Sequence, residues 1–173
     1  MKRHGIARLY VLQYEFPALD DGNLRPVAAD EVASVNTHDM PPFAAFWQGL
    51  DIQEWFELGL LDFDGLQRER RLHGARKQKL VELLHREGWL PNNLEKDLQK
   101  IHLACQSFLA ASAARTVLLN AEDLWLETRP QNFPGTGEER DNWRRKTADR
   151  LEAWRQSAEV RSVLQTVNAL RRK

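Results

Sequence analysis

Three short apolar segments, separated by long stretches of helical periodicity, set the strongest constraint on how this chain can fold. Residues 7–16 are rich in β-branched and aromatic side chains and stop at Pro17, which predicts a strand; two shorter strands are predicted over residues 32–36 and 116–121. The first segment is apolar on both faces at its centre, which is typical of a strand covered on both sides in a parallel sheet. Strands that alternate with helices predict βα units, and therefore an α/β fold with a parallel sheet.

Helical periodicity fills most of the chain around these strands. Phe43, Phe46, Trp47 and Leu50 recur at helical spacing after two prolines and form one apolar stripe. Further helices are predicted over residues 66–87, where Gly88 follows the end, from residue 91 with Asn93 as N-cap, and over residues 143–156 and 157–171. Loops are predicted over residues 17–30 and 122–142, and the third strand, 116–121, is expected to be buried.

Composition excludes several classes of protein. The 173 residues carry 25 basic and 25 acidic side chains, so no net charge draws the chain to nucleic acid or to an anionic membrane. Cys105 is the only cysteine, which excludes an internal disulfide framework and a multi-thiolate metal cluster. No segment approaches the roughly 20 apolar residues of a membrane helix, and no secretory signal is evident. We therefore expect a cytoplasmic protein without a metal, a cofactor, a nucleic acid partner or a membrane partner.

The first polar cluster, Asn-Thr-His-Asp at residues 36–39, directly follows the second predicted strand. In parallel βα folds the carboxyl ends of the strands carry the active site. Asp39 could stabilise developing positive charge there, while His38 donates a hydrogen bond to a substrate. Alternatively, Asp39 could simply cap the helix that begins near Pro41 and Pro42.

The second cluster, residues 131–137 (Gln-Asn-Phe-Pro-Gly-Thr-Gly), lies after the third predicted strand. Asn132 offers both a donor and an acceptor, which suits a hydroxyl-rich ligand such as a sugar. The spacing of the glycines fits neither a P-loop nor a dinucleotide fingerprint. An ordered surface loop explains the segment equally well.

Other chemistry-bearing residues favour structural interpretations. Glu15, at the end of the first predicted strand, is expected to be either a satisfied polar residue or a member of a surface ion pair. His73, His85 and His102 have no partner at the spacing of a helical metal pair. Four tryptophans are expected in the core, and two are candidates for contact with a sugar ring: Trp47, Trp55, Trp89 and Trp154 in the first group, Trp125 and Trp143 in the second.

Taken together and in order, these segments resemble a known enzyme family. Residues 5–14, 36–39, 132–136 and 142–144 are similar to consecutive motifs of the 4-α-glucanotransferases, also called amylomaltases or disproportionating enzymes. The resemblance implies a (β/α)₈ barrel, of which this chain would supply the last three βα units and C-terminal helices. It also implies that residues 1–173 are the C-terminal part of one barrel domain, with Met1 an internal methionine of a longer enzyme.

The resemblance further implies an activity. These enzymes cleave an α-1,4-glucan, hold it as a covalent glycosyl-enzyme and transfer it to the 4-hydroxyl of an acceptor glucan with retention. Asp39 would be the third carboxylate, which supports the oxocarbenium-like transition state, while His38 and Asn132 would bind sugar. The nucleophile and the acid/base have no matching position, so the isolated chain is expected to be inactive on its α-1,4-glucan or maltooligosaccharide substrate.

Two other classes of function remain open from the residues alone. One is a non-catalytic carbohydrate-binding or helical interaction module. The other is a small hydrolase that uses Asp39 together with Glu15.

Overall fold

The computed structural model describes residues 4–148 and 150–172. Met1, predicted to be an internal methionine, lies outside the described residues. The strands and helices, in chain order, are β1 (Arg8–Val11), α1 (Leu12–Glu15), β2 (Glu31–Ser34), α2 (Phe43–Gln48), α3 (Leu50–Glu57), α4 (Phe63–Arg86), α5 (Leu98–Ala111), β3 (Thr116–Leu118), α6 (Leu151–Gln156) and α7 (Ala158–Arg171). Two 3₁₀ helices, Phe16–Asp21 and Glu122–Trp125, complete the regular structure.

The three strands form one parallel sheet in the order β1-β2-β3. Leu9 pairs with Val32, and Ser34 of β2 pairs with Leu118 of β3. Parallel pairing of strands separated by helices confirms the predicted α/β class, because such strands need long crossover connections.

The two faces of this sheet are covered unequally within the described part of the chain. Tyr10 and Ala33 are completely buried against a core built mainly from α2, α4 and α5, with Phe43, Leu84 and Leu109 at its centre. On the other face Leu9 is 61% exposed and Leu118 is 51% exposed. The prediction that the first strand is covered on both sides is therefore wrong at Leu9, although Val11 on the same face is 2% exposed, and the prediction that the third strand is buried is wrong at Leu118.

A second, smaller cluster joins α7 to α5. Val163 and Val167 of α7 pack against Ala110 of α5. Ser157 caps α7, since its side chain accepts a hydrogen bond from the N–H of Val160. This helix begins where the sequence predicts.

Several predicted boundaries are corrected. The first strand ends at Val11, and residues 12–21 are helical rather than extended up to Phe16. The helix after the prolines breaks at Gly49, whose φ of 72° is left-handed and so divides it into α2 and α3. The helix predicted from residue 91 begins at Leu98, capped by Asp97 instead of Asn93. The helix predicted from Trp143 begins at Leu151.

None of the helices within the described ranges combines the length and the apolar character that crossing a membrane requires.

Candidate active site at the carboxyl end of the sheet

The two polar clusters predicted from the sequence meet beyond the carboxyl ends of the strands. Asn132 donates a hydrogen bond from Nδ2 to Oδ1 of Asp39 at 2.8 Å, although 93 residues separate them. The other carboxylate oxygen, Oδ2, lies 3.0 Å from Nε2 of His38. Both His38 and Asp39 are exposed, so the three predicted site residues form one solvent-accessible group.

The loop that presents Asn132 is held in shape by its own side chains. Asn142 accepts a hydrogen bond at Oδ1 from the N–H of Phe133 (2.9 Å) and donates one from Nδ2 to the hydroxyl of Thr136 (2.9 Å). Arg145 donates to the carbonyl of Pro130 at 2.9 Å. A loop tied at several points loses little further conformational entropy on binding a ligand, so it is suited to hold Asn132 in place.

Glu127 anchors the start of this loop. Its carboxylate accepts hydrogen bonds from the N–H groups of Thr128 and Arg129, both at 3.0 Å, and lies 3.2 Å from the Arg145 guanidinium. Burial by itself raises the pKa of Glu127, but these hydrogen bonds and the neighbouring arginines outweigh it and lower the pKa. The carboxylate is therefore held ionised, as a fixed structural charge.

A buried network that sequence reasoning missed lies under the His38–Asp39 loop. Asp123 accepts a hydrogen bond from Nδ2 of Asn36 at 2.9 Å and another from the N–H of Phe43 at 2.6 Å. Asn120 donates from Nδ2 to Oδ1 of Asn36. It is thus Asp123, not Asp39, that caps α2. One signal in the sequence could have found Asp123. It lies shortly after a strand and is followed by the apolar residues Leu124 and Trp125, which indicates a buried carboxylate.

Asp123 is 1% exposed, and burial raises the pKa of its carboxyl to about 7. The hydrogen bonds from Phe43 and Asn36 act in the opposite direction, because they favour the ionised form. Each of its two oxygens accepts one hydrogen bond from inside the protein, so the structure gives Asp123 the part of a buried link between Asn36 and Phe43.

A cleft of about 660 Å³ opens beside Asp39 and Asn132. This is within the range of small-molecule binding sites, about 300–1,000 Å³. Its walls include Tyr14 and Trp55, which are 64% and 37% exposed and offer aromatic faces to a ligand. The sequence prediction that Trp55 belongs to the core is wrong.

The two tryptophans proposed for sugar contact differ in the structure. Trp143 is 57% exposed, with its ring centroid 5.8 Å from that of His38. Trp125 instead stacks on Trp154 at a centroid distance of 4.2 Å, and the indole nitrogens of both are buried. Trp143 is therefore near the site, while Trp125 packs against the C-terminal helices.

Glu15 does not join the site. It accepts a hydrogen bond from Nε of Arg25 at 2.8 Å, which confirms the predicted ion pair. No group of three or more histidine, cysteine, aspartate or glutamate side chains that could hold a metal ion occurs within residues 4–148 and 150–172.

The parallel sheet and the helices packed on it define an α/β protein. Its candidate site, a carboxylate, an imidazole and an amide, lies beyond the carboxyl ends of the strands, where ligands bind in folds of this class. The family profile described as 4-alpha-glucanotransferase, glycoside hydrolase family 77, matches residues 1–152. The chain belongs to this family, as the motifs predict.

Individual relatives agree with the family assignment. The 4-alpha-glucanotransferase of Haemophilus influenzae is 29% identical over 143 residues, which is 79% of this chain and 20% of that protein. The 4-alpha-glucanotransferase of Mycobacterium tuberculosis is 33% identical over 115 residues, 65% of this chain and 16% of that protein. The chain thus spans about a fifth of the length of these relatives.

The fold has a counterpart among solved structures. The crystal structure of amylomaltase from Corynebacterium glutamicum superposes with a TM-score of 0.76 at 20% identity, over 93% of this chain and 25% of that one. This similarity supports the helix-rich α/β architecture and its small parallel sheet.

Proposed function

We propose that this chain is part of a 4-α-glucanotransferase and carries one wall of its glucan site. In this proposal the enzyme transfers a segment of a 1,4-α-D-glucan to the 4-hydroxyl of an acceptor glucan or of glucose, with retention of configuration. The chain supplies the last three βα units and the C-terminal helices of a (β/α)₈ barrel, so residues 1–173 are an incomplete part of one barrel domain. The observation that carries the proposal is the hydrogen bond between Asp39 and Asn132 beside the 660 Å³ cleft, in a chain of this family.

The geometry around Asp39 suits the stabilisation of positive charge. Asn132 donates to one oxygen of the carboxylate and Nε2 of His38 lies 3.0 Å from the other, so both oxygens have a polar neighbour before a ligand arrives. Electrostatic stabilisation is strongest when the charged group needs no reorientation during the reaction. Asp39 is therefore proposed as the carboxylate that supports an oxocarbenium-like transition state, with His38 and Asn132 binding sugar hydroxyls.

The chain does not carry the full catalytic set in this proposal. The nucleophile and the acid/base of the family have no counterpart among its motifs, and removing the nucleophile forfeits the covalent route. Maltotriose incubated with the purified chain should remain unchanged by chromatography. The appearance of glucose together with longer maltodextrins would contradict this part of the proposal.

Glucan binding tests the site itself. Calorimetric titration with a maltooligosaccharide should show binding that Asp39→Asn weakens by about tenfold or more, since hydrogen bonds to a charged group contribute about 1.5–3 kcal/mol. Asp21→Asn is the matched control, because it makes the same change at an exposed carboxylate that does not line the cleft. Equal affinities for the two variants would contradict the assignment of Asp39. In a full-length enzyme containing these residues, Asp39→Asn should lower turnover by about a hundredfold or more.

A further inference from the structure

One carboxylate holds both ends of the loop that carries His38 and Asp39. The loop, residues 37–42, runs from Asn36 after β2 to Phe43 at the start of α2. Asp123 binds Asn36 through one oxygen and the backbone N–H of Phe43 through the other. Asp123 therefore fixes the distance between Asn36 and Phe43, the residues at the two ends of the loop.

The contact with Phe43 replaces a local helix cap. The first N–H groups of a helix have no partner within the helix, and Pro42, at the N-cap position, has no side chain that could accept from them. Asp123 satisfies one of these groups from 80 residues away in the chain. Because the carboxylate is buried, losing it would take away this partner of the Phe43 N–H and leave Nδ2 of Asn36 with only its longer hydrogen bond to the Pro41 carbonyl, at 3.4 Å, which is costly in a dry environment.

Asn36 is held from its other side as well. Its Oδ1 accepts a hydrogen bond from Asn120, while its Nδ2 donates to Asp123. The amide therefore has a fixed orientation, with its oxygen toward Asn120 and its nitrogen toward Asp123 and, at 3.4 Å, the carbonyl of Pro41. Within the loop, the N–H of Met40 donates to the carbonyl of Thr37 at 3.1 Å and closes a turn around His38 and Asp39.

We propose that Asp123 is a positioning residue for Asp39: by clamping Asn36 and Phe43 it fixes the loop so that the Asp39 carboxylate meets the Asn132 amide. This inference rests on the proposed function only for the consequence that glucan binding depends on Asp123. The geometric part stands on the described hydrogen bonds alone.

The clamp can be broken and rebuilt with two exchanges of nearly identical shape. Asp123→Asn replaces one acceptor oxygen with an NH₂ group. This donor then faces another donor, either the side-chain NH₂ of Asn36 or the backbone N–H of Phe43. The double variant Asn36→Asp/Asp123→Asn restores complementarity between positions 36 and 123, because the amide now lies at position 123 and can donate to the carboxylate at position 36; only the longer, 3.4 Å hydrogen bond from position 36 to the Pro41 carbonyl is given up. In that variant the remaining amide oxygen still accepts from Phe43, and Asn120 still has an acceptor.

The Asn132 side-chain amide is the reporter, since it donates directly to Asp39. In NMR spectra of the isotopically labelled 173-residue chain without ligand, Asp123→Asn should shift the Asn132 side-chain resonances, and the double variant should return them toward their original positions. Asp97→Asn is the matched control: Asp97 also caps a helix, α5, through the N–H of Lys100, but has no bond to Asn36. It should leave Asn132 unchanged. If Asp123→Asn does not fold, Asn120→Ala, which removes one hydrogen bond of the same network, should move the same resonances.

Titration of the same proteins with a maltooligosaccharide gives the second measurement. Asp123→Asn should weaken binding by about tenfold, since a displaced Asp39 no longer makes its charged hydrogen bond to the sugar, and the double variant should regain most of the affinity. Unchanged Asn132 resonances in a folded Asp123 or Asn120 variant, or a double variant that restores nothing, would overturn the positioning role. If the resonances respond as expected but no protein binds glucan, the proposed function fails and the positioning role stands.

Discussion

Replacing Asp51 with asparagine should change how the stability of this protein depends on pH. Asp51 lies in the first turn of α3 and in the wall of the cleft, is 8% exposed, and has one carboxylate oxygen, Oδ1, without a hydrogen-bond partner. Burial raises its pKa from 3.8 to about 6, although its own N–H and that of Ile52 favour the charged form. The folded protein therefore prefers this side chain protonated.

The magnitude follows from the two pKa values. Below pH 3.8 the carboxyl group is protonated in both the folded and the unfolded chain, so its ionisation does not lower the free energy of unfolding. Between pH 3.8 and about 6 the unfolded chain ionises this group while the folded protein keeps it protonated, so the free energy of unfolding falls; above about 6 the group is ionised in both states and the loss is complete. The interval between 3.8 and about 6, at about 1.4 kcal/mol for each pKa unit, gives a loss of about 3 kcal/mol by pH 7.5.

Urea denaturation at pH 4 and pH 7.5 measures this effect. Asp51→Asn cannot ionise, so it should match the wild-type stability at pH 4 and exceed it by up to about 3 kcal/mol at pH 7.5. Other titrating groups, including Asp123, also make the free energy of unfolding depend on pH, but they do so equally in both proteins and cancel in the comparison. Asp21→Asn, at an exposed position, should remain within about 0.5 kcal/mol of wild type at both values. A difference between wild type and Asp51→Asn that is the same at both pH values would refute the argument.

Three further expectations follow from burial and exposure. Leu84→Ala should lower the free energy of unfolding by about 2–5 kcal/mol in urea titrations because Leu84 is fully buried, whereas the same change at Leu164, which is 45% exposed, should have little effect; equal losses would contradict this. The Cys105 thiol, whose pKa burial raises to about 12, should react slowly with a disulfide reagent in the folded protein and rapidly in urea, and fast labelling of the folded protein would contradict its burial. Trp143→Ala should weaken maltooligosaccharide binding measured by calorimetry because the ring lies beside His38, and unchanged affinity would remove Trp143 from the site.

The sequence predicts the fold class because the relevant signals are local. Residues 66–87 show helical periodicity, and α4 occupies Phe63–Arg86. The boundaries that fail are those decided by distant contacts. Asn93 is a good N-cap by residue type, yet Asp97 caps α5, since both residues have suitable side chains and only packing selects between them. Trp143 has a φ of 61° in a turn, so the helix predicted to begin there cannot include it.

The candidate site is predictable in part for a similar reason. Asp39 and Asn132 stand out because each follows a strand and belongs to a recognisable motif. Asp123 escapes because its role depends on two partners, Asn36 and Phe43, that lie more than 75 residues away in the chain. Its neighbour Glu122 has the same charge, and residue type alone does not tell which of the two is buried.

The register of the sheet explains how these distant residues come together. Ser34 of β2 pairs with Leu118 of β3, and two residues beyond each lie Asn36 and Asn120. Equal offsets from a paired position in adjacent parallel strands put two side chains side by side, and the Asn120–Asn36 hydrogen bond is the result. A slip by one residue would turn Asn120 to the opposite face and move Asp123 with it, because side chains alternate along a strand. The register of the strands therefore determines whether the site assembles. A substitution in β3 that shifts the pairing should displace Asp39, even though Asp39 itself is left unchanged.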